Sequence, residues 1–523
     1  MTPPPDRSSA SYRVAAGILG SRITGLVREG VFAHFFGVSP VADAWGVALR
    51  TPNVLQVLLG EGTLSASFIP IYAELLEEGR KKEAARFAGA VFGLLTVAAG
   101  LLAVLGILLA PWIVRIVAGG FAPELQETTT GLVRILFPMT ASLAVSAWAL
   151  GVLNTHRRFF LSYAAPIAWN AAMIVAMVGG GWVWELSGEA LANVLAWGAV
   201  AGGALQLGIL MPVAVRLLGE FRPSLATKAE GVAEAFRNFV PMVSARGAVN
   251  LSGLLDVALA SYLASGAIAL LRYAQTLYIL PISLFGLSVA AAELPELSRI
   301  RSQGREALAR DVGRGIERVA YFLIPSALAY LFLGDAISAV IYGRGAFGPT
   351  EVLATWGVLG AYALGMPASA VSRLLSSAFY AMHDTRTPAR VAYLRVALSF
   401  GVGAALMFPL DRLGVGELRL GAAGLALGAT VGAWTELLLL RRALQRTIGP
   451  HGSAPGTFAR IWLAAGSGCA AGLAAGLLLA GTPPLIQAAG TLLPFGGVYF
   501  VATILLGVSE PLQGLRPNRR PKP

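Results

Sequence analysis

The sequence predicts an all-α protein that crosses a membrane about fourteen times, and two observations carry this prediction. First, 56% of the 523 residues are hydrophobic and only 13% are charged, whereas a soluble domain has about 25% charged residues. Second, the apolar residues come in runs of roughly twenty or more, which is the length of helix that crosses a bilayer. A membrane barrel would instead show alternating segments of about ten residues.

The predicted helices span residues 12–36, 42–74, 84–117, 127–155, 160–184, 190–217, 232–263, 267–297, 307–341, 351–382, 388–410, 420–440, 459–481 and 485–508. Lys and Arg concentrate in alternate connections, such as Gly79–Arg86 and His383–Arg390, whereas Gly119–Gln126 and Gly481–Pro484 have none. Basic connections stay on the cytoplasmic side, so both termini are predicted to be cytoplasmic. The net charge of +12 is therefore interpreted as a topology signal, and no nucleic-acid partner is predicted.

An internal repeat relates the two halves of the chain. Its landmarks lie 225 to 227 residues apart: Pro70 and Pro295, Gly79-Arg80 and Gly304-Arg305, Phe121-Ala122-Pro123 and Phe347-Gly348-Pro349, and His156 and His383. Parallel repeats of about six helices predict two lobes around an axis along the membrane normal, with a site between them. The predicted segments are a cytoplasmic tail (1–11), an N-lobe (12–225), a C-lobe (226–445), helices 13 and 14 (446–510) and a basic cytoplasmic tail (511–523).

Ionisable residues inside the apolar runs are the candidate functional residues. They are Arg22, Arg28 and Glu29 in the first helix, Asp43, Arg50 and Glu61 in the second, Arg246 and Asp256 in the seventh, and Arg272 in the eighth. Five arginines facing lipid would cost on the order of 12–17 kcal/mol. A cationic cavity that binds phosphate is one interpretation, because arginine binds phosphate bidentately. Structural pairing, for instance of Arg28 with Asp43 or of Arg246 with Asp256, is the alternative.

The motif around these residues resembles that of a known family. Ser21-Arg22-Ile23-Thr24-Gly25-Leu26-Val27-Arg28-Glu29 is similar to the opening motif of the MviN/MurJ family of lipid II flippases. Ala42-Asp43-Ala44, Pro52-Asn53, Glu61-Gly62, Phe68-Ile69-Pro70, Leu284-Phe285-Gly286, Leu294-Pro295, Leu297-Ser298 and Asp384-Thr385-Arg386-Thr387-Pro388 extend the resemblance over roughly residues 12–445.

The resemblance implies two six-helix lobes with two extra helices, and alternating access to a cavity. It implies a polyprenyl-diphosphate cargo with a sugar–peptide headgroup, carried from the inner to the outer leaflet of a bacterial inner membrane. By position it implies that Arg22 and Arg28 bind the diphosphate and that Asp43 is an acidic partner, and Arg50 matches a basic position of the second helix. Arg50, Arg246 and Arg272 are further predicted contacts of the diphosphate or headgroup, and Ser21, Glu29, Glu61 and Gln56 are predicted polar neighbours. Gly25 is a predicted hinge.

Two positions depart from the family pattern. Gln56 stands where members commonly have an arginine, and Gln275-Thr276 stands where they have Asp-Arg. Arg272 lies one helical turn before Thr276 and is predicted to replace that arginine. Asp256 matches one ligand of a sodium site present in some members, but the eleventh predicted span has no carboxylate, so no metal site is predicted.

Two related functions and one unrelated function remain open on the sequence. A multidrug exporter of the same superfamily would favour acids and aromatics over an excess of arginine, and a flippase for another polyprenyl-linked glycan fits the two departures. A membrane-embedded transferase would need paired carboxylates or a metal cluster, and the adjacent His383 and Asp384 favour a helix-capping turn instead. The prediction is a monomeric transporter, not an enzyme, that contacts membrane lipids and works beside cell-wall synthases. It has no cofactor and is driven by the membrane potential or a cation gradient.

Overall fold

The computed structural model describes residues 7–286, 304–452 and 456–508. Its contacts divide the chain into two compact units, Met1–Tyr262 and Leu263–Pro523. The predicted lobe boundary at residue 226 comes from the repeat, and it stays a prediction. Leu294, Pro295, Leu297 and Ser298 of the motif, and the basic tail 511–523, lie outside the described residues.

The first unit contains nine described helices. They are α1 Arg7–Phe36, α2 Pro40–Leu59, α3 Glu61–Ser67, α4 Ile69–Glu77, α5 Lys81–Val117, α6 Pro123–Thr155, α7 Phe159–Val178, α8 Gly188–Leu218 and α9 Val232–Ala260. A π-helical turn, Gly179–Val183, extends α7. Helix α6 is central, since α2, α5 and α8 pack on it, and α1 packs on α7. Aromatic side chains that include Trp148, Phe68 and Phe87 fill the core between these helices.

The described part of the second unit contains nine further helices and a short hairpin. They are α10 Ala267–Pro281, α11 Arg305–Phe332, α12 Gly334–Tyr342, α13 Pro349–Ala363, α14 Met366–Ala381, α15 Arg386–Asp411, α16 Gly421–Ile448, α17 Thr457–Leu478 and α18 Pro484–Leu505. A π-helical turn, Ile282–Gly286, follows α10, and two antiparallel strands, β1 Gly414–Val415 and β2 Leu418–Arg419, connect α15 to α16. Helices α15 and α16 pack together along their length, and α17 packs on α11 and α18.

Twelve segments in the described residues are long and apolar enough to cross a membrane. The two long helices that are not among them are α1 and α9, with 30 and 29 residues. These two helices carry Arg22, Arg28, Arg246 and Asp256, and charges lower the mean hydropathy of any window that includes them. The helical fold is thus confirmed, and the count of fourteen spans stays a prediction.

The surface of the fold is apolar where the surface of a soluble protein would be polar. Leu108 and Ile116 of α5 are 66% and 77% exposed, and Leu477 of α17 is 78% exposed. Many more large apolar side chains on α5, α17 and α18 are also exposed. Because a soluble monomer rarely exposes contiguous apolar surface on this scale, the solvent for these helices is lipid.

Corresponding turns of the two halves each contain residues with positive φ, although the paired histidines differ, since His156 has a φ of −84° and His383 a φ of 60°. Gly79 and Gly304 both have positive φ, 77° and 102°, and a helix begins within two residues of each. Arg157 and His383 follow the long helices α6 and α14 and have φ of 59° and 60°. A non-glycine residue is uncommon in this left-handed region, so its occurrence at corresponding turns supports the repeat.

Candidate functional site

Arg28 is held on the inner face of α1 by three groups. Its Nη2 forms an ion pair with Oε1 of Glu29 at 2.6 Å, and its Nη1 donates to Oδ1 of Asn170 on α7 at 3.0 Å. The guanidinium also lies over the Trp169 ring, 5.1 Å from the centroid. The Arg28 and Glu29 side chains are only 16% and 6% exposed. The cation is therefore neutralised and oriented, and the pairing partner is Glu29, one residue away.

The two α7 side chains that contact Arg28, Trp169 and Asn170, have hydrogen-bond partners of their own. The indole Nε1 of Trp169 donates to the Ala199 carbonyl of α8 at 3.1 Å. The amide of Asn170 donates to Thr24 Oγ1 at 3.3 Å, and Asn170 is 5% exposed. Neither residue was among the sequence predictions. Asn170 offered a signal, because an amide inside an apolar helix requires a hydrogen-bonding partner.

Arg22 differs from Arg28 although both belong to α1. Its side chain is exposed, and it forms no hydrogen bond or ion pair with any residue that the structure describes. Ser21 is half-buried, and its carbonyl accepts from Thr24 Oγ1 at 3.1 Å. Helix α1 runs unbroken through Gly25, so the role of Gly25 as a hinge stays a prediction.

The second predicted span is broken at Gly60. A Cβ atom on Gly60 would lie 2.4 Å from the Gln56 carbonyl oxygen, so the break between α2 and α3 requires a glycine. Asp43 is 2% exposed and sits in the first turn of α2, where the helix dipole stabilises a carboxylate. Gln56 is half-buried on the same helix. The Glu61 side chain lies outside the described residues.

Arg50 reaches α9, the helix that carries two other predicted residues. Its guanidinium lies against Gly253, where an added Cβ would be 1.8 Å from Nη2. Asp256 is half-buried one turn further along α9. The predicted contact Arg246 belongs to α9, and its side chain lies outside the described residues. Gly253 thus makes room for Arg50, a role that the sequence alone did not indicate.

Arg272 of α10 packs against an aromatic cluster. Its guanidinium carbon lies 4.9 Å from the centroid of the Tyr273 ring, and Tyr273 in turn contacts Tyr342 and Phe347. Thr276, one turn along, donates its hydroxyl to the Arg272 carbonyl at 2.9 Å. Gln275, which together with Thr276 departs from the family pattern, donates to Tyr362 Oη at 2.8 Å. Arg272 and Thr276 therefore share a helix face, as predicted from their spacing.

A further ion pair, which the sequence analysis does not predict, lies in the second unit. Arg395 Nη1 of α15 contacts Glu436 Oε2 of α16 at 2.8 Å, and Glu436 is only 8% exposed. Neither Arg395 nor Glu436 is among the sequence predictions, although Glu436 stands inside an apolar run. Placing a carboxylate in such a run is costly unless it is paired, so Glu436 was the available signal for a cation on a neighbouring helix.

The His383–Asp384 turn is a helix cap. Asp384 accepts hydrogen bonds from the backbone N–H groups of Arg386 and Thr387, each at 3.0 Å, and from Thr387 Oγ1 at 2.6 Å. These hydrogen bonds from Thr387 and Arg386 lower the pKa of the Asp384 carboxyl. The interpretation as a capping turn is confirmed, and this carboxylate is committed to starting α15.

The described residues contain no group of three or more His, Cys, Asp or Glu that could hold a metal ion. The eleventh span is longer than predicted, because α15 ends at Asp411 and so includes a carboxylate. Asp411 Oδ2 accepts from the Ala264 backbone at 3.4 Å. The prediction that the eleventh span has no carboxylate is therefore wrong for the helix as the structure shows it. The Asp411 carboxylate connects the end of α15 to the start of the second unit through this hydrogen bond.

The chain is similar to known transport proteins over most of its length. A family model described as lipid II flippase MurJ matches residues 32–489, a range that begins just after Glu29. A probable lipid II flippase MurJ from Rhizobium meliloti is 32% identical over 435 residues, which cover 82% of this chain and 78% of that protein. The lipid II flippase MurJ of Burkholderia cenocepacia is 31% identical over 446 residues, or 84% of this chain and 83% of that protein.

Solved structures show the same fold. A lipid II flippase MurJ in an inward closed conformation aligns with a TM-score of 0.75 at 22% identity, covering 95% of this chain and 99% of that one. An inward-facing multidrug resistance transporter of the MATE family aligns with a TM-score of 0.67 at 14% identity, covering 84% of this chain and 98% of that one. At these identities the likeness concerns the fold alone.

Proposed function

The chain belongs to the MurJ family of lipid II flippases, and from this premise we propose that its α1 and α2 arginines bind the diphosphate of lipid II during transport. Its function is the movement of this polyprenyl-diphosphate-linked peptidoglycan precursor across a bacterial membrane by alternating access. It is a multi-pass membrane transporter, and its substrate and its surroundings are lipids. The relatives favour this function over a multidrug exporter or a flippase for another glycan.

The proposal that the protein binds a diphosphate rests mainly on Arg22. An exposed guanidinium inside a long helix, without a partner among the described residues, costs about 2.5–3.5 kcal/mol in a bilayer. An anionic ligand would remove most of that cost, because a guanidinium donates two parallel hydrogen bonds to phosphate. Arg50 and Arg246 are the further cations of the first unit that we assign to the headgroup.

Arg28 has a different part in the same proposal. Its Nη1 and Nη2 each donate one hydrogen bond to the protein, and a guanidinium has five N–H donors, so donors remain for an oxygen of the cargo. Glu29 and Asn170 fix the direction in which those donors point. Ser21, Gln56, Asp43 and Glu61 are the polar neighbours that we assign to this region, and Arg272 is the cation that we assign in the second unit.

The energy source that we propose is the membrane potential. The cytoplasm is electrically negative, so outward movement of an anion is favoured by about 2.3 kcal/mol per charge for each 100 mV. A cation gradient is the alternative source. We also propose that the protein works as a monomer beside cell-wall synthases and requires no cofactor.

We place the protein in the bacterial inner membrane with both termini in the cytoplasm. The alternation of basic and uncharged connections supports this orientation. Reporter fusions after Pro523 and within residues 119–126 are expected to lie on opposite sides of the membrane. Reporters on the same side would contradict the orientation and the number of spans.

The function is tested by replacement of a known flippase. We expect the gene for this chain to restore growth and lipid II export in bacterial cells depleted of their own lipid II flippase. The matched control is the same chain with Arg22→Ala and Arg50→Ala, produced at the same membrane abundance. If the unmodified chain is abundant in the membrane but restores neither growth nor export, lipid II is not its cargo.

A further inference from the structure

A cavity in the second unit is built from helices that carry none of the arginines assigned to the cargo. It has a volume of about 220 Å³ and lies between α11, α14, α16 and α17. Its walls are apolar, with Leu375, Trp434, Phe458 and Trp462 among them. Arg441 and His451 complete the lining. We call this space the His451 cavity.

His451 is buried with an unused hydrogen-bond acceptor. The residue is 5% exposed, and its Nδ1 donates to the Gly449 carbonyl at 3.1 Å. Its Nε2 has no hydrogen-bond partner among the residues that the structure describes. Burial lowers the pKa of the imidazole, against the opposing hydrogen bond to Gly449, and the nearby Arg441 lowers it further. This shift favours the neutral ring, whose Nε2 is a lone-pair acceptor without a donor among the described residues.

The loop that carries His451 is held in place from both sides. Gly449 ends α16 with a φ of 87°, a conformation that a side chain would strain. The Gly452 carbonyl lies so close to Gly313 of α11 that a Cβ there would be 2.8 Å away. The backbone of this loop thus fixes the imidazole against the cavity, and the residue with the unused acceptor is part of the cavity wall.

Arg441 gives the cavity its charge. It is exposed near the end of α16 and forms no ion pair with any described residue. The same helix end carries Arg442 and Arg446, which are also exposed. Such a cluster attracts anionic headgroups, and it disfavours a headgroup that brings an ammonium close to Arg441.

We propose that the His451 cavity binds an anionic phospholipid with a hydroxyl-bearing headgroup. An acyl chain lies between Trp434 and Trp462, the phosphate binds Arg441, and a headgroup hydroxyl donates to Nε2 of His451. The volume supports a chain segment as the occupant, because pockets for drug-sized ligands are about 300–1,000 Å³. The sugar–peptide headgroup of lipid II is too large for it. The lipid is thus a bound membrane lipid and not the cargo.

Phosphatidylglycerol is the probe, because its headgroup has a phosphate and two hydroxyls. The purified full chain is titrated with phosphatidylglycerol, phosphatidylethanolamine and phosphatidylcholine of identical acyl chains, and bound lipid is counted by native mass spectrometry. We expect phosphatidylglycerol to bind at least about tenfold more tightly than the other two, the scale of leaving one buried acceptor without its hydrogen bond. Equal binding of the three lipids would overturn the proposal.

Two variants and a matched control locate the site. Arg441→Gln is expected to weaken phosphatidylglycerol binding about tenfold to a hundredfold, and since Arg441 is exposed the fold is not at risk. His451→Asn keeps a donor for the Gly449 carbonyl and removes Nε2, and it is expected to weaken binding about tenfold. Arg442, the neighbouring surface arginine outside the lining, contributes only a general attraction to anionic headgroups, and Arg442→Gln is expected to lose at most about fivefold in affinity.

The other outcomes are equally decisive. If Arg441→Gln binds phosphatidylglycerol as the unmodified chain does, or if Arg442→Gln loses as much affinity, the charge at the cavity does not recognise the lipid and the proposal fails. If added lipid II displaces phosphatidylglycerol one for one, the occupant is the cargo and the proposal fails as well. Binding by Arg22→Ala is expected to be unchanged, so this test is independent of the transport function.

Discussion

The two units hold their cations in different ways. In the first unit Arg28 pairs with the next residue in sequence, Glu29, and α7 adds an amide and a tryptophan ring. In the second unit Arg395 and Glu436, 41 positions apart on two packed helices, form an ion pair. Arg272 lies over the ring of its neighbour, Tyr273. The buried carboxylates thus differ between the units, because Glu29 pairs with its neighbour in sequence and Glu436 pairs with a cation of another helix.

The two arginines of α1 also differ in how they are held. Arg28 is neutralised by Glu29, whereas Arg22 is exposed and has no partner among the described residues. Breaking a buried pair is strongly destabilising, because one charge is left without compensation. Removing an exposed cation costs little stability. Substitutions at the two positions should therefore separate a role in ligand binding from a role in holding the fold.

The largest expected effect on transport is that of Arg22→Ala. We expect lipid II export to fall by up to about a hundredfold, because a charged contact with phosphate contributes up to about 3 kcal/mol. Membrane abundance should stay normal. The measurement is growth and lipid II export in flippase-depleted cells. Arg115→Ala is the control, since Arg115 lies over Trp112 near the end of α5. Full activity of Arg22→Ala would remove the main support for diphosphate binding.

The next effect separates stability from transport at Arg28. Arg28→Ala removes the cation that pairs with the buried Glu29 carboxylate and should destabilise the protein by about 3–5 kcal/mol. Glu29→Ala added to Arg28→Ala removes the buried carboxylate as well and should restore most of the abundance, but not lipid II export. Melting temperature in detergent and export in cells are the two measurements. Restored export in the double variant would mean that Arg28 has only a structural role.

A smaller effect is expected in the second unit. Arg272→Ala should weaken lipid II binding about tenfold, the scale of one charged contact among several. Thr276→Arg added to it should restore part of the affinity, because the two positions share a helix face about 6 Å apart along the axis. The affinity of the purified chain for lipid II is the measurement. An unchanged affinity of Arg272→Ala would exclude Arg272 as a replacement for the family arginine.

The smallest effect is expected at Gly253. In Gly253→Ala the new Cβ would collide with Nη2 of Arg50, and the flexible arginine would have to move. We expect a severalfold loss of lipid II affinity without loss of stability. Gly131→Ala in α6 is the matched control, because a Cβ there meets no atom within 4 Å. Equal affinities of the two variants would mean that the position of Arg50 does not matter for binding.

Much of this architecture could be predicted because hydrophobic runs and basic connections are local signals. The helix ends of α5, α8 and α15 fall within a few residues of their predicted positions. The break at Gly60 was not predicted as such, since it depends on the close approach of the Gln56 carbonyl. The Arg395–Glu436 pair was missed because it depends on which helices pack together, and that is a tertiary property.

The candidate site was predicted to the extent that it follows from charge. Arg22 and Arg28 could be singled out, because cations are rare in apolar helices. The difference between the paired Arg28 and the exposed Arg22 could not be predicted, since it comes from the side chains of α7 and from the rotamer of Glu29. Asn170 illustrates this limit, because an amide inside an apolar helix indicates that it has a hydrogen-bonding partner, but the sequence does not show that the partner is Arg28.

The most direct test of the central claim is the affinity of the purified full chain for lipid II, measured with and without inorganic diphosphate as competitor. The account predicts that diphosphate competes with lipid II on the unmodified chain and on Arg115→Ala. It predicts that Arg22→Ala binds lipid II about a hundredfold more weakly at unchanged melting temperature. An Arg22→Ala variant with the affinity of the unmodified chain, or an absence of competition by diphosphate, would contradict it.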